Sequence, residues 1–222
     1  MKKNWWKIIL IMIFVGGGVL FINSGKNTRK ANVVVSQSSV VTPELTRIPT
    51  EKPTEMSKQF ATLDYPVAEF KNRITKKHFG TFVTPVNSPV KPEKFRGYHT
   101  GVDVEYGDVV EDVKVVAIAD GEIVYAGYVN GYGGFEAMKF SFEGKEYIAT
   151  YGHLRQSFLL KKGDKVNKGQ IIGILGKGFS KETDGERKHL HFGIIKGTRL
   201  DLRGYVQKEE ELKGWVDPEK ML

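Results

Sequence analysis

The sequence predicts a mostly β fold, an antiparallel sheet or sandwich, for the larger part of the chain. The first observation behind this prediction is a series of short apolar runs, rich in β-branched and aromatic residues, that glycine-containing turns separate. The second is the composition, since 25 glycines and 8 prolines among 222 residues indicate many tight turns. The third is the scarcity of helical pattern, because only "VQKEEELKGW" near the C-terminus has a helical character.

Six segments have the strand pattern, and turn-forming stretches such as "ADGE", "NGYGG" and "FEGKE" lie between them. No internal repeat occurs at the spacing of a solenoid or a propeller, so the six segments are predicted to share one domain. The predicted strands are 114–119, 122–128, 135–142, 145–154, 171–175 and 189–195.

The chain divides into three predicted parts. Residues 1–25 combine basic residues with an uncharged apolar run, which predicts an N-terminal transmembrane or signal helix. Tryptophans suited to a membrane interface, and the lack of a small-x-small cleavage site, favour an uncleaved signal anchor over a cleaved signal peptide. Residues 26–57, rich in Ser, Thr and Pro, are predicted to be a flexible extracytoplasmic linker, and residues 58–222 the folded domain. We therefore expect a cell-envelope protein, anchored in the cytoplasmic membrane with its domain outside, or exported after signal cleavage.

The charge distribution argues against a nucleic-acid-binding protein. The formal net charge is +8, but the first 30 residues hold six Lys or Arg and no acid, which leaves +2 for the remaining 192. The folded domain therefore lacks the basic excess that nucleic-acid binding requires. The chain has no cysteine, which excludes disulfides, thiolate metal ligands and a cysteine nucleophile.

Four of the five histidines and one aspartate are the candidates for chemistry. His189 and His191 alternate within a predicted strand, so both imidazoles project from one face, where buried neutral imidazoles need polar partners. His99 and Asp103 lie four residues apart in a segment that reads as a turn leading into a strand. Taken alone, that pair is more typical of ordinary exposed residues. His153 ends a run of strong β character.

Together these residues suit a catalytic zinc site, which keeps three protein ligands and leaves a position for water. His99, Asp103 and one histidine of the pair His189 and His191 would suffice as ligands, and such a site lowers the pKa of its water toward about 7. Because the sequence has neither a cysteine nor a G-x-S-x-G motif, that water is the expected nucleophile. The fifth histidine, His78, follows two lysines and is predicted to be a surface or groove residue.

The segments "HTGVD", "YGHL" and "KHLHFGI" resemble the H-x-x-x-D, [AG]-H-L and H-L-H-F motifs of the M23 metallopeptidases, the lysostaphin/LytM-type peptidoglycan endopeptidases. The resemblance extends from about residue 74 to residue 195, and it includes "ADGEIVYAG", "GYGG" and "KKGDKVNKGQIIGILG" in the family's usual order. Either histidine motif alone would be weak, whereas all three in order are specific. The resemblance implies a lysostaphin-like peptidase domain of the duplicated-hybrid-motif type, with one zinc ion as cofactor.

The resemblance also implies a role for each candidate residue. His99, Asp103 and His191 correspond to the zinc ligands, and His153 and His189 to the two catalytic histidines that bind no metal. In the family mechanism zinc activates a water and polarises the peptide carbonyl, while the free histidines serve as general base and oxyanion stabiliser. The resemblance does not say which of the two histidines serves in which role.

The implied function is that of a zinc-dependent endopeptidase that hydrolyses peptidoglycan stems or cross-bridges, with the membrane contacted through the N-terminal helix. One alternative is an inactive M23-like domain that binds the cell wall or activates a partner hydrolase. Another is a lipoyl- or biotinyl-like barrel in an envelope adaptor, suggested by "KKGDKVNKGQIIGILG" alone. Degenerate members lose ligands, whereas all five expected positions are filled here, and the barrel leaves four histidines unexplained.

Two positions depart from the family pattern. The loop before the histidine pair, "GKGFSKETDGERK", is longer and more charged than usual and ends in Lys188, next to His189. Gly193 stands where many family members have Glu. We expect these departures to change substrate preference more than catalysis, because loops at the rim of a groove determine what the groove accepts.

Overall fold

The computed structural model describes residues 62–222. The predicted N-terminal helix at 1–25 and the linker at 26–57 lie outside the described residues. Within the described range, no helix combines the length and the apolar character needed to cross a membrane.

Residues 62–222 form twelve β-strands, and every strand pair is antiparallel, as the sequence predicts. All six predicted strands are present. The strands are β1 (Phe82–Val83), β2 (Gly97–His99), β3 (Gly101–Glu105), β4 (Lys114–Val116), β5 (Gly121–Val129), β6 (Gly133–Phe142), β7 (Lys145–Leu154), β8 (Lys165–Val166), β9 (Ile171–Ile174), β10 (His189–Lys196), β11 (Tyr205–Val206) and β12 (Trp215–Val216).

Helical structure in the described range is short. The predicted helical segment near the C-terminus holds a six-residue 3₁₀ helix rather than an α-helix, because short strands begin and end within the same stretch. The 3₁₀ helices are Lys71–Arg73, Gln156–Phe158, Lys181–Thr183 and Glu209–Gly214, and α1 is Pro218–Met221.

The main sheet has seven strands, with β10 paired on both edges. On one edge lies β7, followed in order by β6, β5 and β8; on the other edge lie β3 and then β12. β3 pairs with residues 189–193 of β10, and β12 pairs with residues 194 and 195. The smaller sheets are β1–β2–β11 and β4–β9. The two strands that carry the predicted metal ligands, β3 and β10, are thus direct neighbours.

The two faces of β10 have different environments. Leu190, Phe192 and Ile194 pack into the larger hydrophobic core and are fully buried there. Ile195 packs with a smaller apolar cluster that includes Tyr132 and Phe135. The alternation predicted for β10 is therefore confirmed, and the histidines project from the face opposite the large core.

Candidate active site

The register of the sheet brings the ligand candidates together. His191 on β10 lies directly opposite Asp103 on β3, and β2 ends at His99, two residues before β3 begins. His189 lies on the same face of β10, and the side chains of His99, Asp103, His189 and His191 are all buried. The pair of His99 and Asp103, ordinary when taken alone, is thus part of one buried polar cluster.

Three donor atoms in this cluster face one another. The Nε2 atom of His99 lies 3.0 Å from Nδ1 of His191 and 3.3 Å from Oδ1 of Asp103, and Nδ1 of His191 lies 3.2 Å from the same oxygen. Tetrahedral zinc with bonds of about 2.0–2.1 Å requires ligand atoms about 3.3 Å apart. The three residues therefore fit as one face of a zinc tetrahedron, and they are the group within the described residues that could hold a metal ion.

Backbone carbonyls orient three of the histidines. The Nδ1 atom of His99 lies 3.3 Å from the backbone carbonyl oxygen of His78. The Nδ1 atom of His153 lies 3.2 Å from the carbonyl oxygen of Thr183. The Nδ1 atom of His189 lies 2.9 Å from the carbonyl oxygen of Arg187. Because a carbonyl oxygen only accepts hydrogen bonds, each Nδ1 carries the proton and each Nε2 carries the lone pair. In His99 the Nε2 atom faces the donor cluster, and in His189 it lies 3.5 Å from Oδ2 of Asp103.

Burial and the neighbouring charges set the ionisation of the site. Burial lowers the pKa of His191 to about 4, and burial together with His189 lowers the pKa of His153 well below its ordinary value. Burial alone would raise the pKa of Asp103, but His189 and His99 hold the pKa of its carboxyl well below the usual range. At neutral pH His191 is therefore a neutral imidazole and Asp103 a carboxylate, which are the forms that bind a divalent cation.

His153 reaches the cluster through an irregularity in β7. Gly152 lies opposite His191 and shares its face, so regular alternation would turn His153 to the other side of the sheet. The pairing of β6 with β7 skips His153, and its backbone has a left-handed φ of 65°. This bulge places the His153 ring 4.2 Å from the ring of His189, between centroids.

Two tyrosines that sequence reasoning missed also line the site. The hydroxyl of Tyr132 lies 3.4 Å from Nε2 of His191, and the ring of Tyr205 lies against that of His99 at 5.1 Å between centroids. The buried Lys77 donates to the Tyr205 hydroxyl at 2.9 Å. Tyr205 lies beyond residue 195, outside the stretch over which the sequence resembles the family.

Arg187 is the cation at the site, and Lys188 is not. The Nη2 atom of Arg187 donates to Oδ2 of Asp103 at 2.8 Å, and the side chain is buried. The Nζ atom of Lys188 instead donates to the backbone carbonyls of Val109 and Glu111. Arg187 lies two residues before His189, just ahead of β10, so the i, i+2 spacing of positions 187, 189 and 191 is a signal that could have found it in the sequence.

The site opens into a cavity of about 320 Å³ that Asp103, His153, His189, His191, Tyr132 and Tyr205 help to line. A wider groove of about 1150 Å³ adjoins it, and Glu186 and Arg187 line both. The loop at 177–187 forms part of the groove wall, with the exposed Phe179 near its tip.

The remaining sequence features have structural explanations. His78 is exposed, as predicted, and its Nδ1 atom lies 2.9 Å from a carboxylate oxygen of Glu219, a partner that sequence spacing does not reveal. Gly193 faces Thr150, and a Cβ atom built at this position would lie 2.8 Å from the Thr150 hydroxyl oxygen. Glycine, rather than the Glu of many family members, is therefore the residue that fits this crowded position in the sheet.

Residues 97–202, which include all five candidate residues, match the model of peptidase family M23. The match covers a little under half of the chain, and this part of the chain is similar to that family. The sheet, the donor cluster and the two free histidines described above all lie on or next to this segment.

Individual proteins are similar over part of the chain. An uncharacterized protein of Haemophilus influenzae is 38% identical over 96 residues, which are 42% of this chain and 21% of that protein. The chain thus covers about a fifth of that relative's length. The catalytic domain of lysostaphin from Staphylococcus simulans is 26% identical, with 70% of this chain and 97% of that domain covered and a TM-score of 0.47. A SpoIIIAH and SpoIIQ complex provides a chain that is 22% identical, with 72% and 99% covered and a TM-score of 0.49.

Proposed function

We propose that this protein is a zinc-dependent endopeptidase that hydrolyses peptide bonds in the stems or cross-bridges of peptidoglycan. The observation that carries the proposal is the arrangement of three mutually facing donor atoms beside two histidines whose Nδ1 atoms are held by backbone carbonyls. The similarity to peptidase family M23 supplies the context for this arrangement. His99, Asp103 and His191 hold the zinc ion, and His153 and His189 are the catalytic histidines.

A bound zinc ion supplies Lewis acidity, which activates a water molecule and polarises the carbonyl of the peptide bond. The chain's own residues manage the protons. The Nε2 lone pair of His189 or of His153 accepts the proton of the attacking water, and the protonated imidazole then donates to the leaving amine. Both rings keep their orientation throughout, because each Nδ1 donates to a backbone carbonyl. When it is protonated at Nε2, an imidazole beside the former carbonyl oxygen donates to that oxygen and helps to balance its developing charge.

The location and the substrate belong to the same proposal. We place the domain in the cell envelope, outside the cytoplasmic membrane, with residues 1–25 as the membrane anchor or signal and the wall peptide in the groove. The basic flanks and apolar run of the N-terminal segment support the location. The open groove next to the buried site supports an extended peptide as substrate rather than a small molecule.

The full chain, loaded with zinc and incubated with purified peptidoglycan, tests the proposal. Soluble fragments and new free amino groups are expected from the wild type and not from His189→Ala, which keeps the three ligand residues. Peptidoglycans with glycine bridges and with direct cross-links are both needed, because the bond attacked depends on the groove. A zinc-loaded protein that sediments with the wall and releases nothing would instead support the alternative of a binding or activating domain.

A further inference from the structure

The two carboxylate oxygens of Asp103 have different partners. Oδ1 faces the donor atoms of His99 and His191 at 3.3 Å and 3.2 Å, whereas Oδ2 accepts a hydrogen bond from Nη2 of Arg187 at 2.8 Å. The same oxygen lies 3.5 Å from Nε2 of His189. The hydrogen bond from Arg187 to Oδ2 fixes the rotation of the Asp103 carboxylate, so that Oδ1 faces the donor atoms of His99 and His191.

Arg187 is itself fixed by a second carboxylate on the same strand. Its Nε atom lies 2.9 Å and 3.1 Å from the two oxygens of Glu105, which is two residues after Asp103 and therefore on the same face of β3. Lys76 in turn pairs with Glu105 at 3.3 Å. Arg187 is a buried residue, only 7% exposed, and its guanidinium connects the entry of β10 to both carboxylates of β3.

The geometry points to Arg187 as a positioning residue for the metal site, which holds Asp103 as a ligand through one oxygen. This inference rests on the proposed zinc site. The planar guanidinium suits the task because its donors lie in a rigid fork that contacts both carboxylates at once. Partners that orient a metal ligand commonly change metal affinity by about 10-fold to 100-fold when they are removed.

A positioning role and a purely electrostatic role predict opposite results. Arg187 carries a positive charge close to the place of a cation, so removing that charge alone would strengthen zinc binding. Removing the constraint on Asp103 weakens zinc binding and frees Oδ2 to join the coordination. A variant that keeps the net charge and loses the fork therefore separates the two roles.

The double variant Arg187→Met with Glu105→Met removes one positive and one negative charge from the buried cluster. Apolar replacement of a buried ion pair is often tolerated by a fold. The matched control is Lys165→Met with Glu122→Met, which removes an ion pair between β5 and β8, away from the site. Arg187→Lys is a further variant, which keeps the charge and loses only the fork.

Zinc affinity is measured on the full chain by competition with a colorimetric chelator, and the coordination by the visible absorption of the Co²⁺-substituted protein. We expect the double variant to bind zinc about tenfold more weakly. Its Co²⁺-substituted form should absorb visible light less intensely, because both oxygens of Asp103 then coordinate the ion. Arg187→Lys is expected to weaken zinc binding in the same direction, and the control pair to match the wild type.

Zinc affinities within about twofold of wild type in both Arg187 variants, with an unchanged cobalt spectrum, would overturn the positioning role. Such unchanged affinities are what a purely electrostatic role predicts, because both variants keep the net charge, and tighter binding would also contradict a positioning role. If the double variant does not fold, Arg187→Lys alone decides between these outcomes. A wild-type chain that binds no zinc would overturn the proposed function itself, and this result is distinguishable because it precedes any comparison of variants.

Discussion

The imidazole of His153 lies against that of His189, with 4.2 Å between ring centroids, although regular alternation along β7 would place it on the opposite face. The left-handed backbone at His153, with φ of 65°, makes this contact possible. Left-handed conformations cost a residue with a Cβ atom about 1 kcal/mol, and proteins keep them mainly where the surrounding structure or function requires them. The bulge in β7 is therefore part of the proposed catalytic site.

The bulge leads to a prediction about two variants of His153. Both His153→Ala and His153→Gly are expected to keep zinc and to lose hydrolysis, since neither has an imidazole. The glycine variant should be more stable than the alanine variant by about 1 kcal/mol, because glycine adopts a positive φ without strain. Urea unfolding of both proteins measures the difference. An alanine variant as stable as the glycine variant would show that the backbone at 153 is not constrained as described.

Loss of a ligand residue is expected to remove the metal and its stabilising effect. His191→Ala and Asp103→Asn should each bind zinc so weakly that added zinc no longer raises the melting temperature. For the wild type, zinc at 100 times its dissociation constant should stabilise the fold by about 2.7 kcal/mol. His78→Ala is the matched histidine control, because that exposed side chain pairs with Glu219 outside the donor cluster. A loss of the zinc effect in His78→Ala as well would mean that the metal binds elsewhere.

Glu136 predicts a pH dependence of stability that is independent of the metal site. Its side chain is buried in β6, Oε1 accepts from the Leu160 amide at 2.5 Å, and Oε2 has no hydrogen-bond partner among the described residues. Burial, with a smaller contribution from Asp164, raises the pKa of Glu136 to about 7. The folded state therefore keeps a proton that the unfolded state has lost between about pH 4.5 and pH 7. Stability accordingly falls as the pH rises through that window.

The variant Glu136→Gln removes this titration and keeps an oxygen acceptor for Leu160. Its stability relative to the wild type is expected to increase from pH 5 to pH 8, by up to about 3 kcal/mol. Chemical denaturation at the two pH values gives the comparison. An equal stability difference at both values would show that the Glu136 carboxyl does not titrate in this window.

Asp184 connects the loop at 177–187 to other parts of the site. Its carboxylate accepts hydrogen bonds from the Tyr128 hydroxyl at 2.6 Å and from the Gly131 amide at 2.8 Å, and the preceding Thr183 supplies the carbonyl that orients His153. Asp184→Gly keeps the left-handed backbone, with φ of 50° in the wild type, and loses the carboxylate. We expect a stability loss of about 1–3 kcal/mol and a lower kcat with unchanged zinc affinity. A kcat equal to that of the wild type would show that the loop does not need this anchor to orient His153.

The strands and the motif residues could be predicted because both depend on local patterns. Alternation of apolar residues identifies β5, β6, β7 and β10, and the same alternation places His189 and His191 on one face. The chemistry of a zinc site suggested that His99 and Asp103 join one histidine of this pair, and the family resemblance assigned that ligand to His191. Alternation alone could not, since the pairing of β3 with β10 joins residues more than 80 positions apart.

The parts that the sequence did not predict depend on long-range contacts. The face on which His153 lies depends on a bulge, which the pairing between β6 and β7 produces and which residue alternation does not indicate. Tyr132 follows a turn signal, and its approach to His191 depends on the packing of two distant segments. The segment from 206 to 215 has helical composition, but the pairing of Val206 and Trp215 in separate sheets limits its helix to six residues.

Hydrolysis of peptidoglycan in heavy-oxygen water by the zinc-loaded full chain tests the central proposal most directly, with the products read by mass spectrometry. We predict that each cleavage gives one product with a new amino terminus and one product whose new carboxylate carries one heavy oxygen. Neither product is expected from His189→Ala or from Asp103→Asn. Folded, zinc-loaded wild-type protein that releases no such peptides from walls with either glycine bridges or direct cross-links would contradict the assignment of an endopeptidase.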